Sequence, residues 1–265
     1  TSALQRIPEA DRRPLAEVLA SAEIDPADPM LPLMTWYGIE PLAATDFDRA
    51  AALIPTVKLP MLREFLARRM VTADPAKGLG ALAPVLALDR DDVRSDVLDG
   101  VLEAFRGRRK VPRPEGWSDL YAGLATVKPP ALLDRVLRLA VILDEPRAVE
   151  ALRTVLMEPT SDPARRASAL STLVERRTPG LERDLPGLLD DASLRAPVLR
   201  AMAAFPTPDA PKIILGRYAS LSPAEREDAV ATLASRSAWA MALLDAVEHG
   251  TVPRREVSVP IARQI

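Results

Sequence analysis

One short phrase, Arg-x-x-apolar-apolar-x-x-apolar, recurs along this chain and narrows sharply what it can fold into. It reads Arg63-Leu66-Ala67-Met70, Arg94-Val97-Leu98-Val101, Arg166-Ala169-Leu170-Leu173, Arg195-Val198-Leu199-Met202 and Arg226-Ala229-Val230-Leu233. Successive arginines stand 31, 72, 29 and 31 residues apart, and the long step leaves room for one divergent copy. Apolar residues at i+3, i+4 and i+7 form one stripe on an α-helix, whereas a strand would split them between its two faces. A fixed period of this size marks a stack of helical repeats, in which each repeat buries its apolar face only against its neighbours.

Composition agrees with helices that approach closely. The chain has 265 residues, 48% of them hydrophobic but only 4% aromatic. Ala, Leu and Val carry the apolar load, and Ala and Leu favour helix. The 26 prolines act as punctuation. At Asp74-Pro75, Asp162-Pro163 and Ser222-Pro223 the polar residue is placed to cap a helix whose first position is proline. Apolar spacing and these signals predict helices near 9–24, 30–44, 46–54, 59–73, 76–88 and 91–106. After a loop at 107–115 come helices near 117–126, 129–143, 145–157, 162–176, 179–189, 192–204, 208–219, 222–235 and 237–249. From Thr251 the chain is expected to be extended or loosely helical. Short helices joined by tight turns make antiparallel pairs. The expected fold is all-α, a right-handed α-α superhelix of the HEAT or armadillo kind with about six or seven helical pairs. It is expected to run as a single domain over 1–265. The phrase would form the inner helix of each pair. Its early Arg and a nearby Asp, such as Asp91 or Asp191, are similar to the Asp and Arg of HEAT-type repeats, which bond within and between repeats.

Several chemistries are excluded or weakened by the residues themselves. There is no cysteine, so disulfides, thiolate metal sites and covalent c-type haem are excluded within this chain. A net charge of −2 creates no general attraction to nucleic acid or anionic lipid. No apolar run is long enough to span a membrane. The sole histidine, His249, precedes Gly250 at a predicted helix end, where a cation and a following glycine are usual. Gly78-Leu-Gly80 lacks the third glycine and the strand of a phosphate-binding turn. The acids, including Asp89, Asp91, Asp92, Asp96, Asp190 and Asp191, suit helix starts and turns. No catalytic, metal or cofactor residue is assigned.

Two segments are candidates for contact with a partner. Arg106, Arg108, Arg109, Lys110 and Arg113 make a basic loop, read either as solvated or as docking to an acidic surface. Without interleaved aromatics it is not read as a nucleic-acid site. Trp36 and Tyr37 lie in Asp28-Pro-Met-Leu-Pro-Leu-Met-Thr-Trp-Tyr-Gly-Ile-Glu40, read either as core of the first repeat or as a contact between domains. Terminal repeats, which lack one neighbour, are expected to expose apolar surface.

The segment 28–40 resembles the Asp-Pro, apolar, Trp-Trp or Trp-Tyr, Glu phrase of the membrane-bound-dehydrogenase-like proteins of planctomycetes that carry a c-type haem. The stretch Ala231–Arg254, with Leu243-Leu-Asp-Ala and Pro253-Arg254, is similar to the last helical repeat of that family. The resemblance implies that a β-propeller resembling sugar dehydrogenases precedes a helical region like this one. A cytochrome c module with a Cys-x-x-Cys-His site would follow it. The partners would then be other domains of the same polypeptide, haem c would sit only in a neighbouring domain, and the protein would be exported or periplasmic. No catalytic or haem residue of the family transfers to a position here. The abrupt start at Thr1 and stop at Ile265 read as a piece of a longer protein. Two other readings stay open: a cytoplasmic HEAT-type adaptor for a protein partner, and an enzyme with acids converging on a concave face.

Overall fold

A computed structural model describes residues 6, 9–25, 27–108 and 111–264. Among them are sixteen α-helices and no strand. The chain divides into two compact units, Thr1–Ala148 and Val149–Ile265.

The first unit holds α1 (Glu9–Ser21), α2 (Leu31–Thr45), α3 (Phe47–Leu53), α4 (Pro60–Ala73), α5 (Pro75–Ala87), α6 (Asp91–Ala104), α7 (Trp117–Leu124) and α8 (Pro130–Ile142). Its helices form two rows. One row runs α2, α4, α6, α8, each packed on the next, and the other runs α3, α5, α7. Successive helices, such as α4 with α5 and α5 with α6, join the rows. Next along the chain is α9 (Pro146–Met157). The second unit continues with α10 (Pro163–Glu175), α11 (Leu181–Leu188), α12 (Arg195–Met202), α13 (Ala210–Arg217), α14 (Pro223–Ala234), α15 (Ser237–Glu248) and α16 (Val259–Gln264). Here α10, α12, α14 and α16 pack in succession, and α13 packs on α15.

The phrase accounts for this arrangement. All fifteen of its apolar residues, on α4, α6, α10, α12 and α14, are buried. A sixth, divergent copy lies on α8: Leu133 stands at the arginine position, and Val136, Leu137 and Ala140 are buried behind it. Local signals set the helix starts. The Asp74 carboxylate accepts the N–H groups of Ala76 and Lys77, and that of Asp162 accepts from Arg165. Ser222 and Glu225 close a reciprocal capping box on α14. His249 ends α15, its Nδ1 2.7 Å from the Asp245 carbonyl, with Gly250 beyond it at a φ of 77°.

One sequence expectation changes. Proline does not always punctuate: Pro41, Pro84 and Pro186 lie inside helices. Pro84 is tolerated on the exposed side of α5, where Gly80, whose carbonyl loses its helical donor, also faces solvent. Of the two forms expected after Thr251, extended or loosely helical, the helical one is found. The segment forms a 3₁₀ turn at Arg254–Glu256 and then α16, and both pack on α14.

The backbones of α4 and α6 approach closely at Gly100. A Cβ built on Gly100 would fall 2.1 Å from the Glu64 carbonyl oxygen and 3.1 Å from the Arg68 nitrogen. Replacing a mid-helix glycine with alanine ordinarily stabilises by about 1 kcal/mol. At Gly100 the clash is with backbone, so the two helices must separate. Gly100→Ala is therefore expected to destabilise the protein by about 2 kcal/mol, the range of overpacked cores. Gly123→Ala, with open space around its Cβ, serves as the stabilising or neutral control in urea denaturation.

Candidate interaction site

The phrase arginines perform the same pair of tasks in most copies. Each sits early in its helix and reaches back to the end of the preceding one, where carbonyls lack intrahelical partners. Arg63 Nε donates to the Val57 carbonyl at 2.7 Å, Arg94 Nε to Leu86 at 3.0 Å, Arg166 Nε to Leu156 at 2.9 Å and Arg195 Nε to Leu189 at 2.9 Å. The other end of the guanidinium takes a carboxylate, usually from the next phrase helix. Arg63 Nη1 donates to Asp92 at 3.0 Å and Asp96 at 2.9 Å, Arg166 to Asp191 at 2.5 Å and Arg195 to Glu225 at 3.4 Å. Arg94 instead uses Asp89 and Asp91 beside it. Arg63 and Arg166 are buried, which a guanidinium tolerates only when its donors are paired.

The last copy is closed differently. Arg226 donates to Glu256 at 3.2 Å and to the Ala219 carbonyl at 3.2 Å, while its buried Nε has no hydrogen-bond partner. Its guanidinium lies 5.5 Å from the Tyr218 ring centroid, and the Tyr218 hydroxyl donates to the other Glu256 oxygen at 2.6 Å. Burial, then the Glu256 bond, pushes the Tyr218 phenol well above its ordinary range and keeps it a donor. Glu256 thus takes the place of the acid that a further phrase helix would offer.

The acids are therefore mostly occupied by caps and rungs. Hydrogen bonds from Ser193 and then Arg166 hold the Asp191 carboxyl below its usual range. Among the described residues no group of three or more His, Cys, Asp or Glu is placed to hold a metal ion. No helix of the described residues is long and apolar enough to cross a membrane.

The candidate contact residues fall in separate elements. Trp36, on α2, is half-buried and meets Phe65 of α4 edge-on, ring centroids 5.3 Å apart. Tyr37 beside it is 54% exposed. In the basic loop Arg106 is exposed and pairs with Glu103 at 2.5 Å, and the Arg108 guanidinium lies 5.8 Å from the Phe105 ring centroid. Arg109 and Lys110 lie outside the described residues. Arg113, itself exposed, closes the end of α8, donating to the carbonyls of Leu143 at 3.2 Å and Asp144 at 2.5 Å.

Sequence reasoning missed Glu145, a buried carboxylate beside Arg113 that accepts from Arg147 Nε at 2.8 Å. The Arg147 bond holds its carboxyl below the ordinary range. Asp144 before it has a φ of 61°, a reversal that no sequence motif announced. The expectation of exposed apolar surface on a terminal repeat named no residues; on and beside α1 and α2, Leu15, Val18, Met30, Leu31 and Leu33 are exposed along with Tyr37. The clustering of large apolar residues between 15 and 37 was the available signal.

No protein family, curated protein or solved structure matches this chain.

Two measurements test the polar framework. Lysine cannot supply both halves of the fork at Arg166, so Arg166→Lys is expected to cost about 2 kcal/mol in urea denaturation. Arg200→Lys, at the exposed pair with Asp228, is expected to change stability by less than about 0.5 kcal/mol. The second concerns Glu64, whose carboxyl is pushed up by burial and then by the nearby charge of Asp99. A raised carboxyl means that the folded state holds its proton more tightly than the unfolded one, so stability is lost as pH rises through the raised value. Glu64→Gln is expected to raise the melting temperature at about pH 7 and leave it unchanged below about pH 4, the ordinary range of the group.

Proposed function

We propose that this chain is a non-catalytic helical-repeat module of the HEAT type, a solenoid that spaces or docks other folded domains. The repeated arginine fork carries this reading. It commits the charged groups of one phrase helix after another to stacking on the next, which is how a quasi-one-dimensional repeat array is held together. On this reading the pairs are α1–α2, α3–α4, α5–α6, α7–α8, α9–α10, α11–α12, α13–α14 and the short α15–α16. That is one more than the upper end of the sequence estimate, because the segment after Thr251 contributes a helix.

The finer placement rests on residues 28–40 and 231–254 and their resemblance to haem-bearing dehydrogenase-like proteins. It puts the module between a propeller and a cytochrome c domain of an exported polypeptide, with haem c held by the neighbour. Within such a protein Tyr37 and the exposed Arg106 and Arg108 are the residues available to touch an adjoining domain.

The test is the reading frame on either side of this stretch. An export signal and a propeller-like repeat upstream, with Cys-x-x-Cys-His downstream, are expected. A frame confined to the neighbourhood of Thr1 and Ile265 would remove the spacer assignment and leave a free-standing adaptor.

A further inference from the structure

Beside the arginine forks, a second set of titratable groups gathers where α4 meets α6. Asp96, Asp99, Gly100 and Glu103 are spaced i, i+3, i+4 and i+7, so they share one side of α6. Gly100 makes the contact, and the residue it meets on α4 is Glu64, whose carbonyl oxygen would lie 2.1 Å from an added Cβ. Glu64 is half-buried there and feels all three carboxylates of α6, that of Asp99 most strongly. The glycine contact keeps the two backbones close, so like charges carried at this point cannot drift apart while the helices stay packed.

The counter-charges at the contact are already taken. Arg63 donates to Asp92 and Asp96, and Arg106 pairs with Glu103. Arg135 of α8 gives Nε and Nη2 to the two oxygens of Asp99, at 2.7 and 3.1 Å. Arg68, one turn along α4, lies 3.9 Å from Glu103. Glu64 itself makes no hydrogen bond or ion pair among the described residues. The other elements packed on α4 offer it no cation: Glu40 of α2 holds Arg69, Arg49 of α3 is paired with Glu17, and Lys77 of α5 with Asp74. Asp48, the remaining charge of α3, is exposed. Burial and the Asp99 charge favour the neutral Glu64 carboxyl, and burial pushes Asp96 the same way even with Arg63 beside it. A neutral carboxyl has one O–H to give, and Asp99 keeps free lone pairs after accepting from Arg135. An acid donating to a carboxylate on the next helix turns a like-charge repulsion into a short, charge-assisted hydrogen bond.

We propose that the α4–α6 contact is a proton latch. In mild acid Glu64 carries a proton and donates a hydrogen bond to Asp99, which ties the two helices side chain to side chain next to the Gly100 contact. Toward neutral pH the proton leaves to solvent, two carboxylates face each other, and the contact opens more readily. Linkage gives the sign: the folded state holds this proton more tightly than the unfolded one, so the added stability is present in acid and lost as pH rises. The latch belongs to the first unit alone and does not depend on what the module docks.

NMR titration of the side-chain carboxyl groups in the whole chain tests it, with the Glu64 resonance assigned by its absence from Glu64→Gln. The Glu64 midpoint is expected above the ordinary value of about 4.3, and Asp99→Asn is expected to lower it by removing the opposing charge. Hydrogen exchange, corrected for the intrinsic rate, is expected to show the amides of α4 and α6 several-fold more protected at about pH 5 than at about pH 7. In Glu64→Gln, whose amide donates at either pH, that change is expected to be largely lost, while α12 and α14 respond to pH alike in both proteins. A Glu64 midpoint at or below the ordinary value, a midpoint unmoved in Asp99→Asn, wild-type protection no higher in acid, or the same pH dependence in Glu64→Gln would each overturn the latch.

Discussion

The bond on which most of this structure depends is the fork of the phrase arginine. One arm closes a helix end, where carbonyl dipoles concentrate negative charge. The other takes a carboxylate, in most copies from the following repeat. Burying a guanidinium costs several kcal/mol unless every donor finds an acceptor, so the fork is tolerable only in one relative placement of the three segments it touches. Apolar stripes would accept a range of sliding positions. The fork selects one of them, and the same choice is repeated at Arg63, Arg166 and Arg195. Lysine could match the charge without the geometry, since it offers a compact ammonium where a planar fork is needed.

That commitment bears on function. Arg63, Arg94 and Arg166 direct their guanidinium groups to helix ends and carboxylates, and the carboxylates of Asp74 and Asp162 accept the N–H groups of helix caps. Groups used in this way are poor candidates for chemistry, because catalysis would have to break the bonds that hold the stack. Surface left over by the pattern is more informative. Among the described residues it includes Leu15, Val18 and Leu33 on α1 and α2 in the first unit, and Met241, Leu244 and Val259 on α15 and α16 in the second. The two regions are not equivalent. Near α16 the Glu256 rung is filled, and three large apolar side chains are bare among the described residues. At α2 the phrase position is occupied by buried Thr35 in place of arginine, and the bare surface is twice as populous.

Much of the helical pattern was legible because its signals are local. The caps at Asp74, Asp162 and Ser222, the Gly250 stop and the phrase stripes each act within about one or two helical turns, so a sequence displays them directly. The partners of the arginines were less legible. Asp191 reads as the acid of its own helix, four residues before Arg195, yet it bonds Arg166, 25 residues earlier. Glu225 and Glu256 do the work expected of aspartates, because reach across a gap matters there more than closeness to the backbone. Gly100 drew no notice in the sequence, and its role emerges only from the backbone of α4 lying against it. The basic loop was read by charge alone, although Arg113 spends its donors on the carbonyls at the end of α8 while Arg106 bonds only within its own turn.

The divergent repeat explains why that loop exists. Taking Leu133 as the missing phrase position divides the long step of 72 into 39, from Arg94 to Leu133, and 33, from Leu133 to Arg166. The first is longer than the other steps by about the length of the loop between α6 and α7. With leucine at 133 no fork is available to close the end of α7, and Thr126 does so by donating to the Gly123 carbonyl at 2.7 Å. The loop returns an arginine by another route. Arg113 reaches the carbonyls at the end of α8, and buried Glu145 gathers Arg113 and Arg147 around the turn into α9. Arg147 in turn donates to the Ser118 carbonyl at 3.0 Å and lies 5.0 Å from the Tyr121 ring, tying α7 to the same point. A stack that loses one fork therefore needs a second polar hub. The extra residues supply it, so Arg113 belongs to the framework, and of the described arginines in the loop Arg106 and Arg108 remain for a partner.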